Sequence, residues 1–152
     1  MKYFAMAALT AALLAPVAVP STASAELKCQ KLGFAGLMAK CNREALPPLT
    51  LAAGKPLAEG PMQLSSGVYY TLEIISDGSQ ELAVAGADFF RAIWINEVVI
   101  NDLEVRPLGI DSFEFDDEGV IEVKFIAIKP GRYELKVPGS KGESQRVDIS
   151  IQ

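Results

Sequence analysis

Histidine is absent from all 152 residues. That removes the side chain that most often shuttles protons near neutral pH and the commonest ligand for zinc and copper. A Ser-His-Asp or Cys-His mechanism is therefore excluded. Cysteine is scarce: only Cys29 and Cys41 occur. Basic residues are also short. If the first 25 residues are removed, 13 Lys and Arg face 19 Asp and Glu, a net charge of −6. Nucleic acid and anionic membranes call for clustered Lys and Arg, so neither is an expected partner. After Val19 no apolar run is long enough to cross a bilayer, which takes ~20 residues.

What is present at the start reads as a secretory signal. Lys2 supplies a positive charge, and an apolar run from Phe4 to Val19 follows, broken only by Thr10 and Pro16. Ala23-Ser24-Ala25 offers the small-x-small pattern that signal peptidase accepts, which predicts cleavage before Glu26. The run is short for a membrane anchor, and Pro16, Pro20 and Ser21 interrupt its end. The brief n-region and Ala-rich core point to the bacterial periplasm, with a soluble chain and no membrane contact after cleavage. The expected organisation is residues 1–25 as signal peptide, 26–46 as an N-terminal helical, cysteine-bearing segment, and 47–152 as one β-sandwich. The 127 residues after cleavage suit a single domain with a real core.

In an oxidising compartment, Cys29 and Cys41 are most simply a disulfide. Along an unbroken helix their separation would be ~18 Å, at 1.5 Å per residue, too far to bond. Gly33 and Gly36 are the residues able to break such a helix. Leu27, Leu32, Phe34, Leu37 and Met38 form an imperfect apolar stripe in this segment. From Leu46-Pro47-Pro48 onward, Pro and Gly punctuate short runs rich in β-branched and aromatic residues, the pattern of an all-β antiparallel sandwich. Strands are expected at Tyr69 to Ile75, Val98 to Val105, Val120 to Ile128, Tyr133 to Val137 and Val147 to Ile151. Turns are expected at Asp77-Gly78 and Lys129-Pro130-Gly131. Ala87 to Asn96 reads as a short helix, because Phe89, Phe90, Ile93 and Trp94 share one side at helical spacing; such a cluster belongs in a core.

Lys129-Pro130-Gly131-Arg132-Tyr133-Glu134-Leu135, preceded by an apolar strand and followed by a loop and the strand Val147 to Ile151, resembles the C-terminal half of cupredoxins. In that family a strand leads into a P-G-x-Y-x-[FY] segment, and the end of the next strand supplies the copper cysteine. Tyr69 to Asp77 followed by Gln80-Glu81-Leu82 looks like the place of the family's first copper histidine. The likeness covers about residues 48–152, in pattern rather than identity. It implies a cupredoxin-like sandwich, and the departures bear on function. Val137 stands at the cysteine position, Ser140 where the second histidine is common, and Gln80 or Glu81 at the first histidine. A type 1 copper centre requires a thiolate and two imidazoles, so the scaffold is expected to serve another purpose, and fold alone does not name it.

One polar constellation stands out, Asp111-Ser112-Phe113-Glu114-Phe115-Asp116-Asp117-Glu118-Gly119. If extended, it places Glu114, Asp116 and Glu118 on one face, ~7 Å apart at the strand rise, with Phe113 and Phe115 opposite. Carboxylates so held repel one another, and a hard cation relieves that; Ca²⁺ takes several oxygen ligands, and a lanthanide favours the same type. Asp111, Glu114, Asp116, Asp117 and Glu118 are the candidate metal ligands, with Glu97, Asp102, Glu104 or a second copy across a homodimer able to complete the shell. The competing reading is a solvated acidic edge that discourages strand aggregation. The segment is not an EF-hand loop. Paired carboxylates also serve glycoside hydrolysis, but a sandwich this small offers little room for a substrate cleft, so no catalytic residue is assigned. The expected function is a non-enzymatic periplasmic binding or accessory protein, with a calcium or lanthanide ion as possible cofactor. The alternative is a metal-free module that docks on a periplasmic partner such as a secreted oxidoreductase.

Overall fold

The computed structural model describes residues 30–152, with side chains from residue 33 onward. The signal-peptide assignment and Cys29 lie outside the described residues. Eleven strands follow one another along the described chain. They are β1 (Arg43–Ala45), β2 (Leu49–Leu51), β3 (Met62–Leu64), β4 (Tyr69–Asp77), β5 (Leu82–Ala85), β6 (Ile93–Ile100), β7 (Leu103–Val105), β8 (Ser112–Phe115), β9 (Glu118–Ala127), β10 (Gly131–Lys136) and β11 (Arg146–Ile151). One sheet has the order β1-β4-β9-β6-β7, with β2 also on β4; the other runs β3-β11-β10-β5-β8.

Alternation in the sequence builds the core between them. Tyr70, Leu72 and Ile74 of β4 stand opposite Phe125, Val123 and Ile121 of β9, and all six are buried. Leu135 of β10 opposes Val147 of β11, and with Ile149 and Ile151 these supply the facing layer. Period-two burial of this kind is what a strand with one buried face requires.

The sheets are mixed rather than purely antiparallel. β1 and β2 both pair with β4 in parallel, and β3 pairs with β11 in parallel. The chain runs along the edge of the first sheet and then crosses to the edge of the second, which no hairpin can do. Pro47 and Pro48 lie between β1 and β2 and split that edge strand, since proline cannot donate to a ladder. Alternation reads the same in parallel and antiparallel strands, so sequence could not separate them.

The expected helix over Ala87 to Asn96 is confined to one turn, α1 (Ala87–Phe90). From Ile93 the chain is strand β6, with Ile93, Trp94 and Ile95 opposite Ala127, Ile126 and Phe125. Pairing with the central strand overrides a short helical period. Phe89, Phe90 and Ile93 are buried as expected, whereas Trp94 is 48% exposed. α1 drives two rings between the sheets. Phe89 meets Phe125 edge-on at 5.7 Å and lies 6.3 Å from Tyr133, while Phe90 meets Phe113 edge-on at 5.8 Å. Gly86 lets α1 approach β10, because a Cβ there would collide with the Leu135 side chain and sit 2.7 Å from the Glu134 carbonyl.

Among the described residues, the segment before the sandwich is helical only as 3₁₀ turns. Gln30–Gly36 and Lys40–Asn42 are 3₁₀ turns, and Gly33 breaks the first with φ 53°. Of the apolar stripe expected there, Phe34 is 94% exposed and Met38 39%, while Leu27 and the Leu32 side chain lie outside the described residues. Asn42 fastens the segment, its buried amide donating to the carbonyls of Leu37 (3.0 Å) and Gly67 (2.8 Å). Among the described residues no cysteine is a free thiol.

Candidate functional site

β10 runs antiparallel to β5 with Lys136 opposite Ala85. The start of β5 and the segment after β10 therefore lie at one end of the second sheet. That end gathers the positions singled out for a copper centre. Gln80 and Glu81 are exposed in the β4–β5 loop, Val137 is buried at the close of β10, and Ser140 is exposed in the turn beyond. None of the four offers a thiolate or an imidazole. The Pro130-Gly131-Arg132-Tyr133 segment has a structural task. The Tyr133 hydroxyl donates to the Lys129 carbonyl at 2.9 Å and closes the turn that carries the chain from β9 to β10.

The acidic segment does not form one continuous strand. Ser112–Phe115 is β8, the edge of the second sheet, whereas Glu118 opens β9 in the first. Asp116 and Asp117 make the turn between them. A row of three carboxylates on one strand face is thus corrected: Glu114 stands opposite Ala83 in one sheet, and Glu118 opposite Asp77 in the other. The turn is needed because β8 and β9 belong to different layers. One oxygen of Asp117 accepts from the Glu118 amide at 2.8 Å. Gly78, with φ 68°, makes room for this turn, since a Cβ there would lie 2.8 Å from the Glu118 nitrogen and 2.9 Å from Asp117 Oδ1.

Asp111 is separated from the others. It precedes β8, its carbonyl accepts from the Gly86 amide at 3.3 Å, and it borders a cleft of about 560 Å³ together with Asp88, Arg132, Lys136 and Asp148. Glu97 and Glu104, expected as auxiliary ligands, are engaged by cations instead. Arg106 bridges them at 3.0 and 3.1 Å, and Lys124 contacts Glu97 and Glu122, both at 3.2 Å. Burial works to lower the Lys124 pKa, but hydrogen bonds to Glu122 and Glu97 outweigh it and leave the ammonium above its ordinary value. Among the described residues no three His, Cys, Asp or Glu side chains group so as to hold a metal ion.

Sequence reasoning missed the apolar neighbours of the acidic turn. Val98 to Val105 is a hairpin, not one strand, with Asn101 and Asp102 at positive φ (46° and 67°) between β6 and β7. The Asn-Asp pair between two apolar-rich runs was the available signal, because a type I′ hairpin turn needs positive φ at both positions and Asn and Asp tolerate it. This hairpin leaves Ile100, Leu103 and Val105 exposed, and Ile100 borders a groove together with Phe113 and Phe115.

The sequence matches no protein-family profile. It also matches no curated protein. The architecture does have counterparts among solved structures. A multicopper oxidase from Campylobacter jejuni, a metallo-oxidase, superposes with a TM-score of 0.50 at 6% identity, over 72% of this chain and 30% of that one. A multi-copper oxidase from Pseudomonas thermotolerans does so with a TM-score of 0.53 at 12% identity, over 72% and 30%. The fold is cupredoxin-like. At these identities the likeness speaks for the fold alone, and the chain spans about a third of the length of the structures it matches. Among the described residues no helix is long and apolar enough to cross a membrane.

Proposed function

We propose that this protein is a non-enzymatic accessory domain of the periplasm, a cupredoxin-like scaffold that works by docking rather than by electron transfer. One observation supports this most: the chain has no histidine, and the positions that the resemblance gives to copper ligands hold Gln80, Glu81, Val137 and Ser140. A type 1 centre built there would lack every nitrogen and sulfur ligand it needs. Export through residues 1–25 and a Cys29–Cys41 disulfide belong to this reading, since a disulfide persists in that compartment.

A calcium or lanthanide site at Asp111, Glu114, Asp116, Asp117 and Glu118 is the competing possibility. A hard cation takes six or more oxygens at 2.3–2.6 Å. Here Asp111 borders another cleft and Asp117 spends one oxygen on a backbone amide; Glu114, Asp116, Asp117 and Glu118 line one groove, but among the described residues no three such side chains group so as to hold an ion. The docking reading is therefore preferred. Calorimetric titration of the exported chain with Cu²⁺, Ca²⁺ and La³⁺ tests it, with visible absorption recorded after copper. No saturable heat and no intense thiolate-to-copper band is the expected result. Tight Ca²⁺ or La³⁺ binding abolished by Glu114→Gln with Asp116→Asn would replace docking by a hard-cation function.

A further inference from the structure

The β6–β7 hairpin and edge strand β8 carry apolar side chains that the described chain leaves open. Register shows where they point. Leu103 stands opposite Ile100 and Val105 opposite Val98 in the β6–β7 hairpin, and Ile100 stands opposite Ile121 of β9. Cross-strand partners share a face, so Leu103 and Val105 lie on the same face as buried Val98 and Ile121. Even so, Leu103 is 62% exposed and Val105 40%. β7 is the edge of its sheet, as β8 is of the other. Beside them runs a groove of about 330 Å³ with Ile100, Phe113 and Phe115 in its lining. Glu114, Asp116, Asp117 and Glu118 line it too, and all four are exposed.

Charge decides what such a groove can accept. From Asn101 to Glu122 the chain has eight acidic residues and one basic residue, Arg106, which Glu97 and Glu104 already hold. A second copy would bring an equally acidic rim against this one, and like charges across an interface oppose association. A purely apolar segment would strip water from the carboxylates without replacing it. A segment carrying both apolar and cationic side chains meets both demands. Strand addition is disfavoured, because β7 has only three residues with charged Glu104 and Arg106 at its end, devices that blunt an edge.

We propose that the groove lined by the end of β6, by β8 and by the start of β9 docks a cationic, apolar-bearing segment of a partner protein. Its apolar side chains cover Ile100, Leu103 and Phe115, and its Lys or Arg residues pair with Asp116, Asp117 and Glu118. This rests on the docking reading above and supplies its site and the chemistry of its partner.

The test is an NMR titration of the ¹⁵N-labelled exported chain with a synthetic peptide of alternating Lys and Leu. Glu/Leu and Lys/Ser peptides of equal length serve as controls. The Lys/Leu peptide is expected to shift the amides of Ile100, Leu103, Phe113 and Phe115 and to bind about tenfold tighter than either control, with the advantage shrinking as salt is added. Leu103→Ser and Asp116→Asn, both at exposed positions, should each weaken it while leaving the rest of the spectrum unchanged. Equal binding of the Lys/Ser peptide, shifts centred on another surface, or no shifts with any peptide would each overturn the proposal. Concentration-dependent shifts of these same amides without peptide would overturn it in favour of a second copy. The metal titrations judge the docking reading independently, so its failure and the failure of this site can be told apart.

Discussion

Phe89 shows how much a single side chain can carry. It is fully buried and touches rings from three elements, namely Phe90 of α1, Phe125 of β9 and Tyr133 of β10. Phe89→Ala should cost about 3–5 kcal/mol, since both transfer energy and a residual cavity are lost; urea denaturation measures it. Tyr70 offers a test by pH. Burial raises its pKa above the ordinary value, against the Ser65 amide that donates to its hydroxyl at 2.8 Å. The folded state thus holds the phenolic proton more tightly than the unfolded state. Its contribution is fully present below the unfolded value of about 10 and is lost as pH rises through the higher folded value. Tyr70→Phe should flatten the alkaline decline in stability, read from urea midpoints at a series of pH values.

Among the elements, the outer face of the first sheet is tied by charge. Glu97 on β6, only 12% exposed, accepts from Lys124 of β9 and from Arg106 just beyond β7. Three neighbouring strands are thereby linked through one carboxylate. Glu97→Gln should lower stability by about 1 kcal/mol, the upper end for partly exposed pairs. The difference from the parent should shrink in high salt, because screening weakens such pairs. Thermal unfolding at low and high ionic strength measures both effects. The element scale is also where sequence reading was weakest. Strands β4, β9, β10 and β11 were legible because apolar and β-branched runs there lie between clear turn signals. The short pieces, α1 and the β6–β7 hairpin, were not. Four to eight residues fit a helical period and a strand period equally well, and Ile93 to Ile95 are held extended by β9 rather than by their own preference.

For the molecule as a whole, the proposed docking groove makes the acidic rim a determinant of association as well. The apolar groove would be an aggregation liability if it were uncharged. Neutralising the rim by Glu114→Gln, Asp116→Asn and Glu118→Gln should promote self-association that grows with protein concentration. Light scattering at low ionic strength is the check, with the parent chain remaining monomeric under the same conditions.

The cupredoxin-like sandwich, its strands β4, β9, β10 and β11 and the absence of histidine were determined by the sequence alone. Alternation, turn chemistry and residue identity are local properties that survive without coordinates. Tertiary structure alone decided that Asp111 borders a different cleft from Glu114, that Glu114 and Glu118 fall in different sheets, and that Ile100 lines one groove with them. Those outcomes depend on which layer each strand joins and where each sheet ends. Both are set by long-range pairing across the whole fold, and no window of neighbouring residues encodes it.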